Sequence, residues 1–210
     1  MSEPLEAEVN EELRNQQLKS IWNRFGLYII IIALIIIFSV GGYEIKNYLN
    51  NKVSQKESNL FDSAILMIEE GNQEAGYNKL IELSDGKTGY TGLALFRLSS
   101  ESYNKGDYIQ AIEFLERASK DSSLTNKLRE FAKLKAGLIL VDHGSVDDVK
   151  NLLNDLTVKN GPFAFHAKEI IALSFLSNNM DPEARLIFED IASDVAAPPV
   201  LARRAEIFLK

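Results

Sequence analysis

The sequence predicts an all-α protein: a single N-terminal transmembrane helix, then a solenoid of helical hairpins closed by a C-terminal capping helix. Three observations carry this reading. The first is an uncharged run from Phe25 to Tyr43, FGLYIIIIALIIIFSVGGY, bounded by Arg24 and Glu44. The second is the lack of any alternating apolar and polar run beyond it, which leaves helical spacing as the only periodicity. The third is a recurrence of turn residues, Gly71, Gly106, Gly144 and Asn179, at intervals of 35, 38 and 35 residues.

A helix over residues 25–43 would rise roughly 28 Å, close to the hydrocarbon thickness of a bilayer. A helix apolar on every face needs burial all round, and lipid supplies it. Ser39-Val40-Gly41 offers a small-x-small triplet of the kind at which signal peptides are cleaved. The run is longer than a signal core of about 7–15 residues, however, and five glutamates precede it, so an uncleaved anchor is expected. The expected organisation is a tail over 1–24, the span over 25–43, a polar stalk over 44–58 and a helical body over 59–210. Within the tail, Leu5, Val9, Leu13 and Leu18 are spaced for a short amphipathic helix in an otherwise acidic, polar leader. Trp22 and Tyr43 bracket the span where interfacial aromatics are common. The flanking basic residues tie: Arg14, Lys19 and Arg24 before the span, Lys46, Lys52 and Lys56 after it. Lys19 and Arg24 lie nearest the entry and favour a cytoplasmic tail, but charge alone does not fix the direction.

Composition narrows the functions further. The net charge is −7; five glutamates against three basic residues give the tail −2, leaving −5 on the body. An acidic body without a basic stripe argues against nucleic acid as a partner. The chain has no cysteine, which rules out disulfides and thiol chemistry. Its two histidines, His143 and His166, belong to different helical segments, and His143 sits at a helix end. There is no phosphate-binding glycine loop and no nucleophile elbow, and Glu69-Glu70 and Asp147-Asp148 read as solvated helix faces. The expectation is a non-enzymatic protein with no cofactor, no metal and no small-molecule substrate.

The body has a repeating grammar. Five residues after each turn stand Gly76, Ala111, Val149 and Ala184, and seven before it stand Ala64, Ser99, Gly137 and Ala172. Small side chains at those places let two antiparallel helices approach closely. A period near 34 residues with this helix–turn–helix pattern resembles the tetratricopeptide repeat over about Ser54 to Ser193, best from Gly92 to Thr125. Gly76 and Val149 stand where alanine is usual, and the third repeat is longer than its neighbours. About four repeats are expected, followed by a helix from Val200 to Lys210 with Leu201, Ala205 and Phe208 on one face. That helix reads as a cap, or alternatively as a docking element.

The repeat resemblance implies a concave face lined by the first helix of each hairpin. Its groove positions fall on Leu93, Phe96, Ser100 and Tyr103; on Phe131, Leu134, Leu138 and Val141; and on His166, Glu169, Leu173 and Leu176. Of these, Phe96, Tyr103, Phe131, Leu134, Leu138, Leu173 and Leu176 form the expected partner-binding groove. An apolar groove of this kind suits an extended segment or an amphipathic helix; the competing expectation is that it is filled by neighbouring helices. The layout of short acidic tail, one span and degenerate repeats resembles the YfgM-like ancillary subunits of the SecYEG translocon. That resemblance implies a bacterial inner-membrane protein, single-pass, with its tail in the cytoplasm and its repeats in the periplasm. It also implies association with SecYEG and with a membrane-anchored periplasmic chaperone of the prolyl-isomerase type, helping to hand over newly exported proteins. The alternative is a membrane-anchored scaffold for an envelope-assembly or cell-division complex.

Overall fold

The computed structural model describes residues 48–158 and 161–210, together with the isolated positions 19, 22, 27, 28, 35, 36 and 46. Leu27, Tyr28, Ile35 and Ile36 of the apolar run are helical. The rest of the expected span, and almost all of the tail, lie outside the described residues. Among the described residues no helix is long and apolar enough to cross a membrane. The chain divides into two units, Met1–Val53 and Ser54–Lys210. The second unit begins inside the stretch expected as a stalk, because one unbroken helix, α1, runs through residues 48–69.

Eight further helices follow: α2 (Gln73–Leu83), α3 (Gly89–Asn104), α4 (Tyr108–Lys120), α5 (Asn126–His143), α6 (Val146–Thr157), α7 (Ala164–Ser177), α8 (Asp181–Ser193) and α9 (Pro199–Phe208). The described residues contain no strand. Successive helices pair as antiparallel hairpins, α1 with α2 through α7 with α8, and α9 packs on α8 and α7.

Three of the four hairpin turns share one device. Gly71, Gly106 and Asn179 take left-handed φ angles of 89°, 81° and 59°. In each case the next backbone N–H reaches back to a carbonyl of the last helical turn: Asn72 to Met67 at 2.8 Å, Asp107 to Ser102 at 2.9 Å and Met180 to Phe175 at 2.9 Å. This satisfies carbonyls that the helix end would otherwise leave unpaired, and glycine or asparagine is favoured because the turn needs φ above zero. Asn72 and Asp107 then cap the second helix with their side chains.

The third turn differs from the others. Gly144 has a φ of −134°, and Ser145 starts α6 with a reciprocal capping box to Asp148. The longer interval before this turn is shared between α4, with 13 residues against 11 in α2, and α5, with 18 against 16 in α3.

The small residues meet where the spacing places them. Ala64, Ser99, Ala172, Ala111, Val149 and Ala184 are all at most 2% exposed, and Gly76 and Gly137 are buried too. A Cβ on Gly76 would lie 2.6 Å from the Ala64 carbonyl oxygen, so α1 and α2 approach backbone to backbone here. The core then runs through the stack in three patches: Leu80, Leu95, Leu98 and Leu115; Val149, Leu153 and Ile170; Phe188, Ile191 and Leu201. Pro198 and Pro199 open α9 rather than closing the preceding helix, which already stops at Ser193.

Candidate functional site: an aromatic groove between α3 and α5

The first helices of neighbouring hairpins run parallel, and between the C-terminal halves of α3 and α5 their side chains diverge. The resulting groove, about 510 Å³, is lined by Ser99, Ser100, Tyr103, Phe131, Lys135, Leu138, Ile139 and Asp142. Phe131, Tyr103 and Leu138 stand 42%, 46% and 50% exposed on its walls. Large apolar side chains left in water at one place make this groove the candidate interaction surface.

The groove continues as a row of rings. Phe96 lies 5.9 Å from Phe131, Phe131 lies 6.4 Å from Phe163, and Phe163 meets His166 edge-on at 6.1 Å, so three helices contribute to one aromatic strip. Lys135 holds its ammonium 5.8 Å from the Phe131 ring centre. At the other end Tyr103 packs edge-on against Tyr108, and Tyr108 stacks on His143 with ring centres 3.5 Å apart. His143 is the last residue of α5, as its place before a turn glycine implied. A second concavity of about 500 Å³, between α4, α5 and α6, is bordered by the charged residues Glu116, Lys120, Lys133 and Asp148.

The expected groove residues therefore separate into three groups. Tyr103, Phe131 and Leu138 line the open groove together with Ser100; Phe96 joins the aromatic strip, and Leu93 is exposed on the same helix. Leu134 does not reach the groove: it is 5% exposed and packs with Val149, Leu153 and Ile170. Leu173 and Leu176 pack against the cluster that includes Leu201 and Ala205 of α9, and Glu169 accepts a hydrogen bond from Arg204 of that helix. The C-terminal helix thus closes the α7 end and leaves the α3–α5 section open. Phe163 is absent from the expected set because it precedes α7, outside the helical positions; an aromatic residue directly before a helix is the one local signal that could have found it.

Stacked helical hairpins with an apolar groove on their first helices form a scaffold for protein–protein interaction. The chain belongs to the tetratricopeptide repeat-like domain family, whose model matches residues 19–190. The match takes in the apolar run and the hairpins up to α8, and stops short of α9. No curated protein and no solved structure matches the chain.

Proposed function

We propose that this protein is a membrane-anchored, non-catalytic docking factor that captures a segment of another polypeptide in the α3–α5 groove. The observation that carries it is the cluster of Phe131, Tyr103 and Leu138, all exposed and continuous with the Phe96–Phe131–Phe163 strip. The uncharged run from Phe25 to Tyr43 supports the anchor. In the fuller reading, the tail lies in the cytoplasm, the span crosses the bacterial inner membrane, and the hairpins face the periplasm beside SecYEG and a prolyl-isomerase-type chaperone. The groove then receives newly exported chains. Tethering raises the local concentration of the groove at the channel exit, so weak contacts suffice.

The test is recovery of partners from membranes in mild detergent, comparing the wild-type chain with Tyr103→Glu/Phe131→Glu/Leu138→Glu. These side chains already face water, so the variant is expected to keep its helical content and membrane fraction. Its recovery of channel subunits and chaperone should fall at least tenfold. Undiminished recovery rules out the groove as the docking site. Recovery of cell-division or envelope-assembly proteins in place of channel subunits overturns the export reading. A reporter fused after Lys210 checks the direction of insertion.

A further inference from the structure

The two ends of the hairpin stack carry matching faces of opposite charge. On α1 the face turned away from Phe61, Ala64 and Ile68 bears Asp62, Leu66 and Glu69, and Leu66 is 55% exposed. On α9 the face turned away from Leu201 and Ala205 bears Arg203 and Ile207, Ile207 being 66% exposed, and Lys210 follows just past the helix end. Both triplets have the same spacing, four residues and then three, which keeps Asp62, Leu66 and Glu69 on one side of α1 and Arg203 and Ile207 on one side of α9. At one end the exposed aliphatic side chain lies between two acids, at the other between two bases. None of these four charged side chains has a partner among the described residues.

The position of α9 gives this symmetry a geometric meaning. Arg204 pairs with Glu169 on α7 across an interval of 35 residues, one repeat length, so α9 occupies the place of the first helix of a further hairpin. Its outward face is therefore where the next first helix of a stack would lie. First helices all run in the same direction along such a stack. Setting the α1 face of a second copy against α9 thus brings Asp62 to Arg203, Leu66 to Ile207 and Glu69 to Lys210.

We infer that the hairpin stack associates head to tail with a second copy of this chain, α9 of one on α1 of the next. The contact joins two different faces, so it does not close on itself by two-fold symmetry and extends into open chains. It is weak and salt-sensitive, because exposed charges are screened over a Debye length of about 8 Å at physiological ionic strength. This goes beyond the docking role of the groove, which lies elsewhere on the first helices and stays accessible.

The test uses the full chain in detergent micelles and its lack of native cysteine. Leu66→Cys and Ile207→Cys are combined in one chain, oxidised mildly and run on a non-reducing gel. A ladder of dimers, trimers and higher species is expected, falling at least fivefold on adding Arg203→Glu/Lys210→Glu. Further reversal by Asp62→Lys/Glu69→Lys should restore the ladder. The inference is overturned if the doubly substituted chain stops at dimers, or if Ile207→Cys alone dimerises as readily, since either means like faces pairing. It is equally overturned if charge reversal leaves the ladder unchanged, since association would then come from the anchors or the micelle. Circular dichroism of each variant confirms equal helicity before the gels are compared.

Discussion

Gly76 shows how one side chain sets the distance between two helices. In an open helix, replacing glycine by alanine is favourable by about 1 kcal/mol, because alanine restricts the unfolded backbone more. Here the added methyl would meet the Ala64 carbonyl oxygen at 2.6 Å and Ile68 Cγ1 at 2.6 Å, and the carbonyl belongs to helical backbone. The helices would have to separate, losing contacts around Leu80 and Ile68. Gly76→Ala is therefore expected to destabilise the fold by about 1–2 kcal/mol despite its better helix propensity. Urea unfolding monitored by circular dichroism measures this, and a raised midpoint would show that α1 and α2 can move apart freely. The same close approach explains why the small residues at Ser99, Gly137 and Ala172 could be recognised without a structure: the restriction is steric and recurs once per hairpin.

Among helices α2 to α9, α6 is the one started by a full capping box. Ser145 Oγ accepts from the Asp148 backbone N–H at 3.2 Å, and the Asp148 carboxylate accepts from the Ser145 backbone N–H at 3.0 Å. The carboxylate also accepts from the Ser145 hydroxyl at 2.7 Å, and the two bonds it accepts hold it below its ordinary value of 3.8, the hydroxyl contributing most and the backbone N–H next. A depressed carboxyl pKa stabilises the folded state fully above about pH 3.8, and the contribution disappears as the pH falls through the folded value. Asp148→Asn should consequently lower the unfolding midpoint at pH 7, with the gap to wild type narrowing as the pH drops below that range. Paired denaturation curves at pH 7 and pH 3 read the effect; a constant gap would assign the loss to packing. The cap matters more here than elsewhere, since the third turn lacks the left-handed residue that organises the other three. That difference was not visible in the sequence, where Gly144 falls into the same frame as Gly71 and Gly106. A glycine permits positive φ but does not require it.

Across the whole stack, each hairpin contacts chiefly its neighbours, so damage should stay local. Phe188 is the test case, being 1% exposed and stacked on Phe208 with ring centres 4.6 Å apart. Truncating it to alanine removes the centre of the patch joining α8 to α9, a loss of about 3–5 kcal/mol for a buried phenylalanine. Hydrogen exchange in α9 and α8 should accelerate by orders of magnitude while α3, α4 and α5 retain most of their protection. Uniform acceleration along the chain would instead show one cooperative unit. The composition, turn residues and small-residue spacing established helices, hairpins and their phase, because left-handed turns and close helix approach are short-range demands met within one repeat. Which first-helix residues face a partner was decided only by the packing of one hairpin on the next. Leu134 turned inward to Leu153, Arg204 drew Glu169 under α9, and Phe163 joined the ring strip from outside its helix. Exposure at these positions depends on side chains 19 to 35 residues away, and no local pattern encodes that contact.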